Sequence, residues 1–427
     1  MTTAASRDVV RRARTGLAVL TMINLFNYLD RYIVPVLGET LRRSELRLTD
    51  LQFGLLGSGF LIVYMVAAPF FGTLGDTGAR PRLIALGVAV WSLATAAGGL
   101  AWSFASLFAA RSAVGIGEAA YATISPSLLA DYYPRTYRGR VFAVFYAMTP
   151  TGTALGYLVA SQMDVHFGWR SAFFVAGMPG LVLATLALRL HEPPRGTQDG
   201  VENMLTPAAP GGTEGGGRGA LASYRSLVHN RAYVLAVLGL AAYTFALGGM
   251  AFFMPEFLMR VRGVPEAQVG VGFGAILAAT GLAGTLIGGW AGDRLLRVTK
   301  QAYLWLSGIA TLLAAPISLV ALTARAPTLY WSATTLAALL LFLSTSPINA
   351  VIVNEVPATM RATAVAVSIF VIHVLGDVPS PTVLGAVSDA RSLQQAVLII
   401  PLAVLASGAI WAYAGWREAR ATTALVV

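Results

Sequence analysis

The sequence predicts an all-α integral membrane protein of twelve transmembrane helices, arranged as two six-helix halves. Three observations carry that prediction. Hydrophobic residues make up 56% of the 427 and charged residues only 12%, about half the charged fraction of a soluble globular chain. Apolar runs of about 20 residues, enough to cross a hydrocarbon core of about 30 Å, fill nearly the whole sequence. A single long polar stretch, about residues 191–230, separates six such runs from six more. No soluble catalytic domain fits between them.

The first run, about residues 16–37, follows Arg7, Arg11, Arg12 and Arg14. It is too long for a signal-peptide core and lacks a convincing cleavage site, so it reads as a retained span. The next five lie at about 51–74, 82–103, 105–130, 139–162 and 170–190. The polar stretch then brings Pro193-Pro194, Gly211-Gly212 and Gly215-Gly216-Gly217, a composition that cannot bury a core and reads as a flexible linker. Six further runs follow at about 231–257, 268–291, 301–323, 328–353, 362–387 and 392–415. The expected organisation is an N-terminal bundle over residues 1–190, a cytoplasmic linker over 191–230 and a C-terminal bundle over 231–427.

With both termini in the cytoplasm, 20 of the 30 Lys and Arg residues fall inside and 8 outside, and Arg31 and Arg111 stay in the membrane. The positive-inside rule favours that orientation. Basic residues are scattered between apolar runs, so the net charge of +10 reflects topology rather than a nucleic-acid surface. Cysteine is absent and the four histidines show no metal-ligand spacing, so no metal, nucleotide or organic cofactor is called for. The chain is expected to act as a monomer among membrane lipids.

The two halves echo each other. Gly72-Thr73-Leu74-Gly75-Asp76, followed by Arg80 and Arg82, closes the second run; Gly289-Trp290-Ala291-Gly292-Asp293, followed by Arg294 and Arg297, closes the eighth. Asp131, Pro134 and Arg138 recur as Asn354, Pro357 and Arg361 with the same spacing. A parallel repeat of six helices is the architecture of secondary transporters. The loop pattern resembles the signature of the major facilitator superfamily, G-x-x-x-D followed by basic residues. That resemblance implies a gating role for Asp76, Arg80, Asp293 and Arg294, with Arg138 and Arg361 counted beside them. Thr77 stands where the signature has a base, so the first copy is the weaker one.

A narrower resemblance rests on three stretches: Asn27-Tyr28-Leu29-Asp30-Arg31-Tyr32, the run from Arg111 through Gly115, Gly117 and Glu118 to Pro126, and the run from Arg361 through His373, Gly376 and Asp377 to Asp389. They are similar to the Spinster subfamily. The resemblance implies export or redistribution of amphiphiles such as lysophospholipids, sphingosine and phosphorylated sphingoid bases, with proton coupling. Little soluble decoration surrounds the spans, which resembles the prokaryotic branch and implies a bacterial inner membrane.

Charges inside spans are the candidate chemistry. An ionised side chain near the bilayer centre costs at least about 2.5–3.5 kcal/mol, so it persists only where it faces protein or water. At about 1.5 Å per residue, Asp30 on the first run and Arg111 on the fourth reach a similar depth, and Glu118 lies two turns from Arg111 on the same face. Asp30 and Glu118 are the candidate proton-coupling carboxyls, and either one can be the residue that titrates. Arg31 and Arg111 suit a phosphate or carboxylate head group through paired hydrogen bonds. A second reading stays open: these four charges only pair with one another and hold the bundle together.

Asn27 and Tyr121 join the candidate binding set, Tyr121 as one of several aromatics suited to an acyl chain. In the second half His373 and Asp377, one turn apart, either share a proton or form a satisfied pair beside Pro379 and Pro381. Ser346 and Asn349 either contact a head group or join helices to one another.

The leading functional expectation is a proton-coupled secondary transporter of lysolipid-like or sphingoid-like amphiphiles, working by alternating access. The alternative is a proton symporter of small organic anions, with Arg31 and Arg111 as the clamp. An enzyme is not expected, because no nucleophile elbow, zinc-protease pair or nucleotide loop is present.

Overall fold

The fold is taken from a computed structural model, which describes residues 3–48, 50–199 and 218–424. Among these residues helix is the only regular secondary structure, with no strand. The long helices are α1 (Thr3–Arg31), α2 (Asp50–Thr77), α3 (Arg80–Gly98), α4 (Phe104–Tyr132), α5 (Arg138–Tyr146), α6 (Met148–Phe167) and α7 (Trp169–Leu188). In the second half they are α8 (Arg231–Arg260), α9 (Glu266–Leu295), α10 (Ala302–Thr323), α11 (Pro327–Phe342), α12 (Thr345–Asn354), α13 (Arg361–Ile372), α14 (Pro379–Ala390) and α15 (Ile399–Ala424). Ten stretches among the described residues are long and apolar enough to cross a membrane. Helices α1 and α4, 29 residues each, are long enough but carry the intramembrane charges. With those two, the twelve spans are accounted for.

Three spans are broken, each beside proline. Helices α5 and α6 meet at Ala147, with Pro150 in the first turn of α6. Helices α11 and α12 meet at Leu343-Ser344, with Pro347 following. Between α13 and α14 a turn of π-helix runs from His373 to Asp377, just before Pro379 and Pro381. Proline removes an amide donor and clashes with the preceding turn, which accounts for breaks at these places.

The first span also differs from the apolar run in the sequence. Helix α1 begins at Thr3, through the four arginines, and stops at Arg31 rather than near Leu37. Beyond it the chain proceeds in two short helices, Ile33–Val36 and Gly38–Arg43, because Pro35 cannot continue the ladder. Asp30 and Arg31 therefore sit in the last turn of α1.

The chain divides into two compact units. Unit 1 comprises Met1–Pro134, Met148–Ser223 and Pro357–Val367; unit 2 comprises Arg135–Ala147, Tyr224–Val356 and Ser368–Val427. In unit 1, α4 packs between α2 and α3, α7 packs on α3, and α1 on α6. Close approach of these helices depends on glycine. A Cβ at Gly115 would lie 2.8 Å from the Phe60 carbonyl oxygen, and one at Gly117 would lie 2.6 Å from the Trp91 amide nitrogen. On α6, a Cβ at Gly156 would lie 2.6 Å from the Leu29 carbonyl oxygen. In unit 2, α15 packs against α8 and α10, while α9 packs against α11 and α5.

Candidate functional site

The glycine contacts set α1, α2, α3 and α4 close enough for their polar side chains to meet inside unit 1. Asp30, fully buried, accepts a 2.6 Å hydrogen bond from Thr95 Oγ1 on α3 at one carboxylate oxygen. Arg111 Nη1 on α4 lies 3.4 Å from the other oxygen. Arg31 turns away from its neighbour Asp30, and its Nε donates to Glu118 at 2.6 Å. The two acids and two bases anticipated from the sequence are thus brought together as two ion pairs with no net charge.

Aromatic rings surround the cations. The Arg31 guanidinium lies 4.8 Å from the Tyr64 ring centre and 5.2 Å from those of Tyr28 and Phe60. Arg111 lies 5.1 Å from Phe60, so one ring faces both guanidinium groups. Such contacts hold a desolvated cation through the negative face of the ring. Among the buried polar atoms here without a hydrogen-bond partner are Glu118 Oε1, Arg111 Nε and Asn27 Nδ2. Unsatisfied buried groups each cost about 1–3 kcal/mol.

Other candidates are occupied by the fold. Tyr121 donates to the Leu20 carbonyl at 2.5 Å and meets the Trp91 ring edge-on. In unit 2, Ser346 Oγ donates to the Gly139 carbonyl at 2.5 Å, while Asn349 bonds the Thr345 carbonyl and accepts from the Tyr146 hydroxyl at 3.2 Å. His373 Nδ1 lies 2.8 Å and 3.0 Å from the two carboxylate oxygens of Asp377, within the π-turn. A π-turn often marks a functional position in a helix.

The two sequence echoes form matching arrangements, one in each unit. In unit 1, Asp76 accepts the Ala362 and Thr363 amides at 2.9 Å each, at the start of α13. In unit 2, Asp293 accepts the Arg140 amide at 3.0 Å, at the start of α5, and the Tyr303 hydroxyl at 2.7 Å. A carboxylate at a helix N-terminus satisfies free amides and complements the helix dipole. The basic residues cross over as well: Arg361 Nη1 donates to Asp131 at 2.7 Å, and Arg138 Nη1 donates to Asn354 at 2.5 Å. Arg80 does not face Asp76; it donates to Asp131 at 2.5 Å and to Glu192 at 3.1 Å. The Arg294 guanidinium lies over the Trp290 ring at 5.7 Å.

Sequence reasoning missed Thr95, Glu192 and Asp199, and noticed Asp131 only as a repeat marker. Thr95 sits in a run of small residues where hydroxyls are common, although Ser92 one turn earlier points to a polar face. Glu192 and Asp199 lie in the polar stretch, where acids carry no positional signal.

Comparison with known proteins places the chain. Its sequence matches the family described as the Major Facilitator Superfamily over residues 20–381. The chain belongs to that superfamily: it is a multi-pass membrane transporter, not an enzyme. Within it, the chain belongs to the Spinster family. It is 32% identical over 408 residues to the sphingosine-1-phosphate transporter SPNS2 of Danio rerio, covering 90% of this chain and 78% of that one. It is also 32% identical over 388 residues to Protein spinster of Drosophila melanogaster, covering 87% of this chain; there it spans only 61% of the fly protein's length. In fold it matches the crystal structure of a bacterial homolog to human lysosomal transporter Spinster, inward-facing and unoccupied, with a TM-score of 0.65 at 24% identity over 95% of this chain and 97% of that one.

Proposed function

We propose that this chain is a proton-coupled secondary transporter that moves single-chain amphiphiles with an anionic head group, of the lysolipid or phosphorylated sphingoid class, by alternating access. The observation that carries the reading is the buried double ion pair Asp30–Arg111 and Arg31–Glu118. Two acids and two bases desolvated inside one helical unit exceed what packing requires, because hydrophobic residues of similar volume stabilise as well or better. Protonation of either carboxyl releases its arginine, and an anionic head group then takes the vacated hydrogen bonds. Relationship to a named sphingosine-1-phosphate transporter supports the amphiphile class.

In this reading the moving bodies are two six-helix bundles, residues 1–190 and 231–427, joined by 191–230. Asp76 with α13 and Asp293 with α5 are gate contacts made in one state and released in the other. Both termini lie in the cytoplasm of a bacterial cell, and the transporter works as a monomer. His373 and Asp377 are a second titratable pair for the C-terminal bundle.

The test is uptake of a phosphorylated single-chain amphiphile into proteoliposomes with and without an imposed pH gradient. The wild type is expected to respond to the gradient, and Asp30→Asn and Glu118→Gln to lose that response. Uptake indifferent to the gradient, with both variants equally active, overturns the coupling. Transport of hydrophilic carboxylates with no response to single-chain lipids would instead favour a small-anion symporter.

A further inference from the structure

The polar stretch after α7 does not leave unit 1 at once. Arg80 and Arg361 are both completely buried, and both donate to the same carboxylate, Asp131, which is also buried. Two cations sharing one anion leave an uncompensated charge in a low-dielectric interior, a strongly unfavourable state. The residues after α7 correct it. Glu192 Oε1 accepts from Arg80 Nε at 3.1 Å, and Asp199, its side chain 1% exposed, accepts from Arg361 Nη2 at 2.5 Å. Between them the backbone is tied down as well. The Pro193 carbonyl accepts from Arg80 at 3.0 Å, the Gly196 amide donates to Asp131 at 3.0 Å, and Arg195 donates to the Gly75 and Gly78 carbonyls at 3.0 and 2.8 Å. Arg195 thereby braces the end of α2 that carries Asp76.

The second half uses a different contact at the equivalent position. Its arginine, Arg138, donates to the neutral side chain of Asn354. The first gate is a charge-balanced latch: Arg80, Arg361 and the linker's Arg195 face Asp131 and the linker's Glu192 and Asp199.

We infer that residues 192–199 form a latch on the gate, with Glu192 and Asp199 as positioning residues that hold Arg80 and Arg361 on Asp131 and so set how long Pro357–Val367 stays docked in unit 1. The inference rests on the alternating-access reading, in which Arg361 must part from Asp131 once per cycle. Asp199 either lets go at that step or sets its rate. The first carboxylate of the latch stays near its arginine through the short tether to α7, whereas Asp199 is the contact that must be remade.

A disulfide tests this directly, because the chain has no native cysteine. A Cβ at Gly196 would lie 3.3 Å from the Ala358 Cβ, slightly short of the disulfide range of about 3.5–4.5 Å, so the two backbones need to part by a few tenths of an ångström. Gly196 has a φ of 79°, so Gly196→Cys alone is the control for backbone strain. In proteoliposomes, the Gly196→Cys/Ala358→Cys pair is expected to cross-link on mild oxidation and to lose at least tenfold in transport, recovered by reductant. Adding Asp199→Asn is expected to slow cross-linking at least tenfold, and Asp199→Glu to restore most of it. Oxidised protein that transports as fast as reduced protein overturns the latch. So does an unchanged cross-linking rate in Asp199→Asn, even if that variant melts earlier. If the wild type moves no amphiphile, the functional reading fails, while the cross-linking comparison still decides the latch.

Discussion

Asp30 and Glu118 have unequal surroundings. Both oxygens of Asp30 are bonded, to Thr95 and Arg111, whereas Glu118 uses one oxygen on Arg31 and leaves the other buried without a partner. Replacing Asp30 by Asn strands Arg111 in the interior, a loss of about 3–5 kcal/mol when one partner of a buried pair is removed. Thermal unfolding in detergent is expected to show a large drop for Asp30→Asn and a smaller one for Asp30→Asn/Arg111→Gln. Equal drops would mean that the pair is not coupled. Thr95→Val removes a hydrogen bond to a carboxylate, about 1.5–3 kcal/mol, and should fall between wild type and Asp30→Asn in the same assay. The charged four were legible in the sequence because charge in an apolar run is costly and rare. Thr95 was not, since a threonine among alanines satisfies itself on its own helix as readily as it serves a carboxylate.

Helices are where the sequence was most and least informative. Ten of the twelve spans follow from apolar length, and α1 and α4 from length despite their charges, but the breaks do not, because a proline tolerated inside α2 or α4 looks the same as one that interrupts span five or ten. Close crossings are equally invisible without a neighbour. Gly117→Val is expected to abolish the monodisperse folded peak in fluorescence-detected chromatography, since its side chain would meet backbone of α3. Gly57→Ala, on the same assay, is expected to be neutral or mildly stabilising, because nothing lies within 4 Å of a Cβ there. A normal Gly117→Val peak would contradict the packing.

Just beyond α12, Glu355 gives a pH signature outside the membrane spans. Burial first, and then the Glu418 carboxylate, push its carboxyl above the ordinary 4.5, and Arg135 only partly opposes them. A raised native value means that the folded protein holds the proton more tightly than the unfolded chain. Its stabilising contribution is complete below pH 4.5 and fades as pH rises through the native value. Glu355→Gln is therefore expected to flatten the decline of melting temperature with pH above that point. A parallel curve would contradict it.

For the whole molecule, the compact units cut across the order of the chain. Residues 135–147 lie in unit 2 and residues 357–367 in unit 1, although each belongs to the other half by sequence. The repeat spacing hinted at this exchange, since Asp131 and Arg138 echo Asn354 and Arg361. Spacing alone could not say that each arginine would reach across to the acid or amide of the other copy. The contacts proposed as gates are helix caps in which a carboxylate meets free amides, an arrangement that contributes up to about 2 kcal/mol when partly buried. Asp76→Asn and Asp293→Asn are each expected to reduce uptake roughly tenfold while leaving the folded yield intact. Unchanged uptake in both would remove them from the gate.

The central claim is that a carboxyl of the buried double ion pair exchanges a proton as an anionic amphiphile moves. Proteoliposomes loaded with a pH-sensitive dye test it most directly, by following internal pH when a phosphorylated single-chain amphiphile is added. A proton movement that tracks amphiphile uptake is expected in the wild type and is expected to disappear in Glu118→Gln or Asp30→Asn. Amphiphile uptake with no proton movement in the wild type, or the same movement in both variants, would contradict it.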